Sequence, residues 1–245
     1  MTVKPDLNGH VALVTGGSRG IGAAIAMALA EAGAAVAVNF LERAAKADAV
    51  VASIKSKGGR AIAVAANVSQ AAAIAEMVDH AAFALGPIDI LVNNAGIAIV
   101  RGIDDLTEAE FDATIAVNLK SAFLCTQAVL PGMRAKQWGR IVNISSGAAR
   151  GAGAIGVHYN ASKAGMEGLT RGYAARLVKE GITVNAVAPS LIETDMMRGR
   201  SELAARIPLG RMGQPDEVAQ AVLMVLGNDY MTGQTIMLNG GMAFI

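Results

Sequence analysis

Short apolar runs alternate along the chain with longer segments in which apolar residues recur at helical spacing. Seven of the short runs are rich in Val, Ile and Ala and lack an apolar–polar alternation, which is typical of strands buried on both faces. The predicted strands are residues 11–15, 36–40, 61–66, 90–93, 140–144, 183–187 and 235–238. Strands that alternate with helices predict a parallel sheet whose right-handed crossovers cover both faces.

Three of the intervening helices carry start signals. Thr107 and Glu110 form a capping-box pattern, Ser69 precedes an Ala-rich run, and Pro215 is followed by two acidic residues. No linker, low-complexity tract or domain-scale repeat interrupts the pattern. The sequence therefore predicts one doubly wound α/β domain over residues 1–245, with a seven-stranded parallel sheet and helices on both faces.

Composition narrows the functional classes. The chain is 53% hydrophobic and 17% charged with a net charge of +1, so we expect a large core and no nucleic-acid partner. No apolar run reaches the length of a membrane span, and the first residues lack the layout of a signal peptide, so we expect a cytoplasmic protein with no membrane partner. Cys125 is the only cysteine, which excludes an intramolecular disulfide and a cysteine-rich metal site, and we expect it to be buried.

Residues 15–22 read Thr-Gly-Gly-Ser-Arg-Gly-Ile-Gly, between the first predicted strand and the helix that follows it. Glycines there allow a tight turn and close approach of the backbone to a pyrophosphate, and the helix N-terminus offers unpaired N–H groups and a partial positive charge. No Gly-Lys-Ser/Thr follows, which disfavours a mononucleotide P-loop. A glycine-rich turn alone is also common in ordinary loops, but its place after the first strand predicts a Rossmann-type dinucleotide site.

The end of the second strand bears on the choice between NAD and NADP. An acidic residue there would bind the ribose 2′-hydroxyl and repel a 2′-phosphate. The expected position falls within Asn-Phe-Leu at 39–41, and the first acid, Glu42, is expected beyond it. Arg19 in the glycine loop and Arg43 after the strand could each bind a phosphate through the guanidinium fork, or could be solvated surface residues. We therefore predict a preference for NADP(H), with NAD(H) as the alternative.

Tyr159 and Lys163 are four residues apart, so on a helix they share one face about 5–6 Å apart. A free phenol has a pKa near 10, and a nearby ammonium typically lowers such a pKa by about 1–3 units. A pair of this kind can act as general acid or base near neutral pH. The alternative is a partly buried tyrosine with a surface lysine, which is the commoner meaning of the spacing by itself.

Polar residues also follow two other predicted strands. Ser145 and Ser146 follow the run at 140–144, and Asn-Asn-Ala-Gly at 93–96 closes the run at 90–93. Strands of such sheets deliver their C-terminal residues to the ligand crevice. Asn118 is a poor helix former within an otherwise apolar helical stretch. Each of these residues could instead be a cap or a surface polar group.

Together these segments resemble the short-chain dehydrogenase/reductase family. The resemblance rests on residues 15–22, 93–96 and 159–163, on Asn118, and on the separation of thirteen residues between Ser146 and Tyr159. It covers essentially the whole chain. The stretches GRIVNISS, GITVNAVAP and IPLGRMGQPDEVA are most similar to 3-oxoacyl-(acyl-carrier-protein) reductases and acetoacetyl-CoA reductases.

The resemblance implies a catalytic role for four residues. Tyr159 would protonate a carbonyl oxygen as hydride arrives from the nicotinamide, or would deprotonate an alcohol in the reverse direction. Lys163 would bind the nicotinamide ribose and lower the pKa of Tyr159. Ser146, rather than Ser145, would hydrogen-bond the substrate oxygen, and Asn118 would support a water that links Lys163 to solvent.

The resemblance also places the cofactor. Asn94 and Gly96 would contact its adenosine side, and Asn67 with Val68 would flank the adenine, although many relatives have Asp in place of Asn67. Ser190 replaces the usual glycine of the turn near the nicotinamide, so that turn is expected to differ. The full set of expected cofactor contacts is Gly16, Ser18, Arg19, Gly20, Ile21, Gly22, Asn39, Phe40, Arg43, Asn67, Val68, Asn94, Ala95, Gly96, Tyr159, Lys163, Pro189, Ile192 and Thr194.

Acyl-carrier-protein reductases dock their acidic carrier through basic side chains at two helix ends, which here hold Gln137 and Glu180. An uncharged and an acidic residue at these positions disfavour a carrier-bound substrate, although Lys136, Lys179 and Arg176 are close enough in sequence to compensate. A CoA thioester or a free small ketone is therefore the preferred substrate class.

The family resemblance further implies a homotetramer and a lid. Helices near residues 106–134 and 159–179 would pair across one interface, with the apolar tail 242–245 buried at another. The lid would be a short segment at about residues 190–208, in which Met196 and Met197 could line an apolar wall or could be ordinary packing residues.

His158 is expected to be a surface histidine at a helix start, without a functional role. Two other functional classes stay open. One is an NAD(H)-dependent dehydrogenase that oxidises a sugar or a secondary alcohol. The other is a non-catalytic dinucleotide-binding scaffold, against which the retention of all four polar site residues argues.

Overall fold

A computed structural model describes residues 5–195 and 201–244. Within these residues seven parallel strands form one sheet in the order β3-β2-β1-β4-β5-β6-β7. The strands are β1 Val11–Val14, β2 Ala35–Phe40, β3 Ala61–Ala65, β4 Ile90–Asn93, β5 Gly139–Ile144, β6 Ile182–Pro189 and β7 Thr235–Leu238. The predicted doubly wound Rossmann-type sheet is confirmed, and the predicted strand limits differ from the observed ones by two residues at most.

Helices cover both faces of the sheet. They are α1 Gly20–Glu31, α2 Ala44–Ser56, α3 Ala71–Leu85, α4 Glu108–Ile115, α5 Ser121–Lys136, α6 Val157–Leu177 and α7 Pro215–Leu226. The predicted lid contains a 3₁₀ segment, Ser201–Arg206, while Met196 and Met197 lie outside the described residues. Strand order reverses between β1 and β4, so their carboxyl ends border the crevice where ligands bind in doubly wound sheets.

Two apolar clusters explain why the strands lack alternation. Ala12 and Val14 of β1 belong to a cluster with buried residues of α1, α2 and α7. Val11 and Leu13 of the same strand belong to a second cluster with buried residues of α3, α5 and α6. Successive side chains of a strand point to opposite faces, and both faces here are buried. Most strand positions are therefore apolar, with exceptions such as Arg140 in β5 and Thr183 and Asn185 in β6.

The predicted helix starts are confirmed at two of three positions. Thr107 accepts a hydrogen bond from the backbone N–H of Glu110, whose carboxylate accepts one from the N–H of Thr107, which is the predicted capping box. Pro215 begins α7. The prediction for Ser69 is wrong, because α3 begins after Gln70 and Ser69 instead donates its hydroxyl to Asn67 Oδ1.

One continuous helical stretch, Glu108–Lys136, is the only part of the described chain with the length and composition of a membrane span. It comprises α4, a π-helical turn and α5, and 44% of the apolar window is buried inside the protein. Core helices of globular proteins pass the same test, so the feature is weak evidence for a span. Cys125 of α5 is buried as expected, and burial raises the pKa of its thiol to about 12.

Asp89 joins three elements at the amino-terminal edge of the sheet, opposite the crevice. The buried carboxylate precedes β4, accepts a hydrogen bond from the backbone N–H of Val11 at 2.9 Å, and lies 3.1 Å from His10 Nδ1. It also accepts one from Lys136 Nζ, at the end of α5, at 2.7 Å. A single side chain therefore connects β1, β4 and α5 away from any ligand.

We expect Asp89→Ala to lower the free energy of unfolding by about 1–3 kcal/mol, because the N–H of Val11 then lacks an acceptor. The measurement is urea denaturation, with Asp48→Ala on the exposed face of α2 as the matched control. Dinucleotide affinity should be the same in both variants. Equal stability of the two variants would contradict the assigned role of Asp89.

Candidate active site

Three candidate catalytic side chains meet where β5 ends and α6 begins. Tyr159 and Lys163 occupy the first two turns of α6, and Lys163 Nζ lies 5.8 Å from the centre of the Tyr159 ring. Ser146, just after β5, is hydrogen-bonded to Tyr159. Ser145 is instead buried and donates its hydroxyl to the carbonyl of Lys163 at 3.3 Å. The geometry therefore brings Ser146, and not Ser145, to the tyrosine, as the spacing predicts.

Burial controls the protonation of both titrating groups. It raises the pKa of Tyr159, an effect that the hydrogen bond with Ser146 opposes. It lowers the pKa of Lys163 to about 8, and Nζ donates a hydrogen bond to the carbonyl of Ile144 at 2.8 Å. The expected lowering of the Tyr159 pKa is not the net result, because burial of the phenol outweighs the influences that lower its pKa.

Asn118 lies in the π-helical turn Ala116–Lys120 and is fully buried. Its Oδ1 accepts a hydrogen bond from the N–H of Ile97 at 2.8 Å, and its Nδ2 donates to the carbonyl of Ile97 at 3.0 Å and to Ser162 Oγ at 3.2 Å. The amide thus joins α6 to the segment after β4. Single π-helical turns inside α-helices occur frequently at functional sites, and here the turn accommodates the polar residue that a regular helix disfavours.

The glycine loop is tied to the neighbouring strand by Asn39. The backbone N–H of Gly16 donates to Asn39 Oδ1 at 3.1 Å, and that of Gly17 donates to the Asn39 carbonyl at 2.7 Å. The Asn39 amide also donates to carbonyls of β3 and the residue after it, and the side chain is only 2% exposed. The Asn39 side chain therefore holds the loop, and the expected contact of this residue with the cofactor stays a prediction.

A close approach between two segments requires glycine at position 22. A Cβ there would overlap the carbonyl oxygen of Gly16 and would lie 2.5 Å from Asn94 Nδ2. Asn94 Nδ2 donates to the carbonyls of Thr15 and Gly16, at 2.9 and 3.0 Å. The packed backbone of this loop fits the close approach to a pyrophosphate that the sequence predicts.

Thr15 is a site residue that the sequence did not single out. Its buried hydroxyl accepts hydrogen bonds from the N–H groups of Asn94 and Ala95, both at 3.0 Å, and so aligns the ends of β1 and β4. A hydroxyl at the last position before the glycines is the signal that could have identified it.

The remaining predicted cofactor residues lie along the carboxyl edge of the sheet. Arg19 and Arg43 are exposed and precede α1 and α2, respectively. A groove of about 910 Å³ runs beside the glycine loop. Its lining residues include Ser18, Gly20 and Thr194, and Tyr159 does not line it. Ile21, Phe40, Ala95 and Gly96 are partly or fully accessible, whereas Val68, Pro189 and Ile192 are buried.

Asn67 and Ser190, two residues of the predicted cofactor region, are both held by hydrogen bonds within the protein. Asn67 Oδ1 accepts hydrogen bonds from the N–H and hydroxyl of Ser69, so this oxygen caps the loop after β3. Ser190 donates its N–H to the carbonyl of Leu238 at 2.8 Å. Among the described residues other than glycine only Arg43 and Gln137 have positive φ, so the turn accommodates a serine at position 190 without strain.

The prediction of a surface histidine at position 158 is wrong. His158 is 0% exposed, and its Nε2 lies 2.9 Å from the carbonyl oxygen of Ile99. The sequence at a helix start does not reveal that the segment after β4 folds over this turn. The imidazole therefore belongs to the interior directly beside Tyr159.

Comparison with known proteins places this site in a class. The family model described as short chain dehydrogenase matches residues 10–204. The chain belongs to the short-chain dehydrogenase/reductase family, whose members are NAD(P)-dependent oxidoreductases acting on CH–OH groups. The seven-stranded parallel sheet with helices on both faces agrees with that class.

Particular relatives cover nearly the whole chain. The 3-oxoacyl-(acyl-carrier-protein) reductase FabG of Staphylococcus aureus is 44% identical over 242 residues, which are 94% of this chain and 97% of that protein. The (2S)-[(R)-hydroxy(phenyl)methyl]succinyl-CoA dehydrogenase subunit BbsD of Thauera aromatica is 42% identical, over 96% and 97% of the two chains. The crystal structure of a blue fluorescent protein from a metagenomic library, in complex with NADPH, superposes with a TM-score of 0.91 at 39% identity, covering 98% and 100%.

The buried ammonium of Lys163 predicts a pH-dependent stability difference. Lysine in the unfolded chain keeps its proton to a pKa of about 10.4, whereas Lys163 in the folded protein releases it near pH 8. Between these values the unfolded state binds more protons, so the free energy of unfolding rises with pH. Relative to that of Lys163→Met, the free energy of unfolding of the unaltered protein should increase by up to about 3 kcal/mol across this pH range.

Urea denaturation at several pH values measures this difference. Lys179→Met, which removes an exposed lysine beyond the end of α6, is the control and should show a constant offset from the unaltered protein. A constant offset for Lys163→Met as well would show that burial does not hold the pKa of Lys163 down.

Proposed function

We propose that this enzyme is an NADPH-dependent ketoreductase that reduces a 3-oxoacyl thioester or a small ketone to a secondary alcohol. The observation that carries the proposal is the contact of Tyr159 with Ser146 beside the buried Lys163, at the edge of the sheet where the glycine loop lies. When bound, the nicotinamide cofactor supplies the hydride, so the chain itself must supply the proton and orient the carbonyl.

Tyr159 is the general acid in this proposal. Because burial raises the pKa of its phenol, the hydroxyl stays protonated at neutral pH and can donate to the developing alkoxide. Ser146, hydrogen-bonded to the same hydroxyl, orients the substrate oxygen next to it. The Lys163 ammonium, 5.8 Å from the ring centre, stabilises the phenolate that the transfer leaves behind. Asn118, held by Ile97 and Ser162, supports the proton path from solvent to Lys163.

Three groups of residues would hold the cofactor. The packed turn of Gly16 and Gly22 and the N-terminus of α1 fit a pyrophosphate. Arg19 and Arg43, exposed at the starts of α1 and α2, would bind a 2′-phosphate, and the end of β2 carries no acid that would repel it. The NADPH complex of the blue fluorescent relative supports the preference for NADP(H) over NAD(H).

A substrate linked to CoA, or a free ketone, is preferred over one carried by an acyl carrier protein. Glu180 is paired with Arg134 at 2.6 Å, so that arginine is not a spare cation for an acidic partner. Lys136 is paired with the buried Asp89 at 2.7 Å, and Gln137 adds no charge. Arg176 and Lys179 are exposed near this rim. The two docking positions themselves carry no basic side chain, which weakens the steering of an acidic carrier to the enzyme.

A second candidate function runs the same chemistry in the opposite direction. The relative BbsD is named as a dehydrogenase of an acyl-CoA, which supports oxidation of a secondary alcohol as the alternative. NAD(H) would be the cofactor in that direction. A non-catalytic scaffold is disfavoured, because the chain keeps Asn118, Ser146, Tyr159 and Lys163.

We also propose that residues 1–245 form one catalytic domain with a lid at about 190–208, and that the chain assembles as a homotetramer. Exposed apolar side chains of α5 and of the tail support the assembly. Phe123 of α5 is 43% exposed and Phe244 of the tail is 91% exposed, and exposing such side chains to water is costly in an isolated chain. The tail position Ile245 lies outside the described residues.

Tyr159→Phe should lower kcat for ketone reduction by about 10²–10⁴-fold, because the proton donor is lost while the ring remains. The assay follows NADPH oxidation. The unaltered enzyme is first tested with acetoacetyl-CoA, an acetoacetyl carrier protein, and cyclic and aryl ketones, and the variant is then compared with it on the best of these substrates. Acetoacetyl-CoA or a free ketone should exceed the carrier-bound substrate in kcat/KM.

Tyr173→Phe is the matched control for Tyr159→Phe. It removes a hydroxyl from the same helix, and the hydrogen bond of that hydroxyl within residues 5–195 and 201–244 is with Gln127. Its kcat should equal that of the unaltered enzyme. NADPH affinity, measured by fluorescence titration, should be unchanged in both variants. Normal turnover by Tyr159→Phe would refute the assignment of the acid.

Arg19→Ala and Arg43→Ala should each raise KM for NADPH by about ten- to a hundredfold, because a charge-assisted hydrogen bond to the 2′-phosphate is lost. KM for NADH, which lacks that phosphate, should change little. Lys57→Ala, at the distal end of α2, is the control. The cofactor proposal would be overturned if the unaltered enzyme prefers NADH. It would also be overturned if the arginine variants raise KM for NADPH and for NADH by the same factor.

A further inference from the structure

The first two turns of α6 carry two neighbouring rows of side chains. Tyr159 and Lys163 form the row assigned to catalysis, and His158 and Ser162 form the row beside it, since residues four apart share a helix face. His158 and Ser162 are both 0% exposed. The contacts of this buried row therefore fix how α6 is rotated about its axis, and so where the tyrosine points.

Both residues of the buried row are linked to the segment that follows β4, His158 directly and Ser162 through Asn118. His158 Nε2 lies 2.9 Å from the carbonyl oxygen of Ile99, and because a carbonyl can only accept, Nε2 carries the hydrogen. Ser162 Oγ accepts a hydrogen bond from Asn118, whose amide also pairs with the backbone of Ile97. Residues 97–99 are thus fastened to α6 at two points that are one helical turn apart.

The loop before α6 leaves room for the imidazole only because residue 156 is glycine. A Cβ at Gly156 would lie 2.6 Å from His158 Cε1 and 2.9 Å from its Nδ1, and Gly156 has a φ of 150°. The N–H of Arg101 donates to the carbonyl of Ile155 at 3.0 Å, which keeps the two segments side by side. The imidazole therefore fills a slot between the loop before α6 and the segment after β4.

Packing alone does not account for an imidazole in this slot. Its Nδ1 is buried and has no hydrogen-bond partner among the described residues. A buried polar atom without a partner costs stability, which an apolar ring of similar size would avoid. What the imidazole offers and an apolar ring lacks is the single hydrogen bond to Ile99.

We propose that His158 is a positioning residue for the general acid: its hydrogen bond to Ile99 fixes the first turn of α6 so that the Tyr159 hydroxyl stays against Ser146. The proposal rests on the proposed function, since it assumes that Tyr159 donates the proton. His158 is 0% exposed, so in this proposal it acts through Tyr159 and not on the substrate or the cofactor. A displacement of about 1 Å in a reacting group can cost about 10²-fold in rate, so loss of one anchor should be visible in kcat.

The test compares His158→Phe, which keeps a ring and removes the donor, with His158→Gln, whose side-chain amide can still donate to Ile99. Thr170→Val is the matched control. It removes a buried hydroxyl of the same helix, away from the site, that accepts a hydrogen bond from Asn143 Nδ2 at 2.8 Å. For each variant we would measure kcat and KM, NADPH affinity and the thermal midpoint.

We expect His158→Phe to lower kcat by about 10–100-fold with little change in KM or NADPH affinity. His158→Gln should recover most of kcat, and Thr170→Val should keep kcat while losing stability. A kcat for His158→Phe equal to that of the unaltered enzyme, or a loss that is matched by Thr170→Val, would overturn the positioning role.

Gly156→Ala keeps the test decisive if His158→Phe does not fold. A methyl group at position 156 would push the imidazole from its slot and would also strain the backbone, whose φ is 150°, so kcat should fall at least as far as for His158→Phe. An unchanged kcat in Gly156→Ala would refute the proposal. Failure of the proposed function is distinguishable, because it would appear as normal turnover by Tyr159→Phe.

Discussion

A buried ammonium group sets the constraint on which the site depends. Lys163 is 4% exposed, and the described structure gives its Nζ a hydrogen bond to the carbonyl of Ile144. Burial without a neutralising carboxylate lowers the pKa of this lysine and costs stability while it is charged. The fold bears that cost at the carboxyl edge of the sheet, where a positive charge beside Tyr159 is useful for proton transfer.

The rest of the fold brings separate segments to that edge. Parallel strands end side by side, so Thr15 after β1 meets Asn94 after β4, and Ser146 after β5 lies on the same edge of the sheet. Side chains that hold backbone, such as Asn39 for the glycine loop and Asn118 for the segment after β4, fix these ends relative to one another. Rigid support of this kind is what positions reacting groups within the small tolerances that catalysis requires.

Much of this could be predicted from sequence because the signals are local. Buried strands are continuous apolar runs, and the serine, tyrosine and lysine stand at fixed separations. The sequence is silent where distant segments decide the environment of a side chain. Nothing near His158 shows that residues 97–101 cover it, nothing near Asn39 shows that the loop uses its amide, and the pKa of Tyr159 depends on burial that only the folded chain determines.

The central claim is that a protonated Tyr159 delivers the proton during carbonyl reduction. The most direct measurement is the dependence of kcat/KM for reduction on pH, at saturating NADPH. The account predicts a plateau at neutral pH and a decline at alkaline pH, as the Lys163 ammonium, with its pKa of about 8, and then the phenol lose their protons. A rate that stays constant through this range, or that rises with pH, would contradict it.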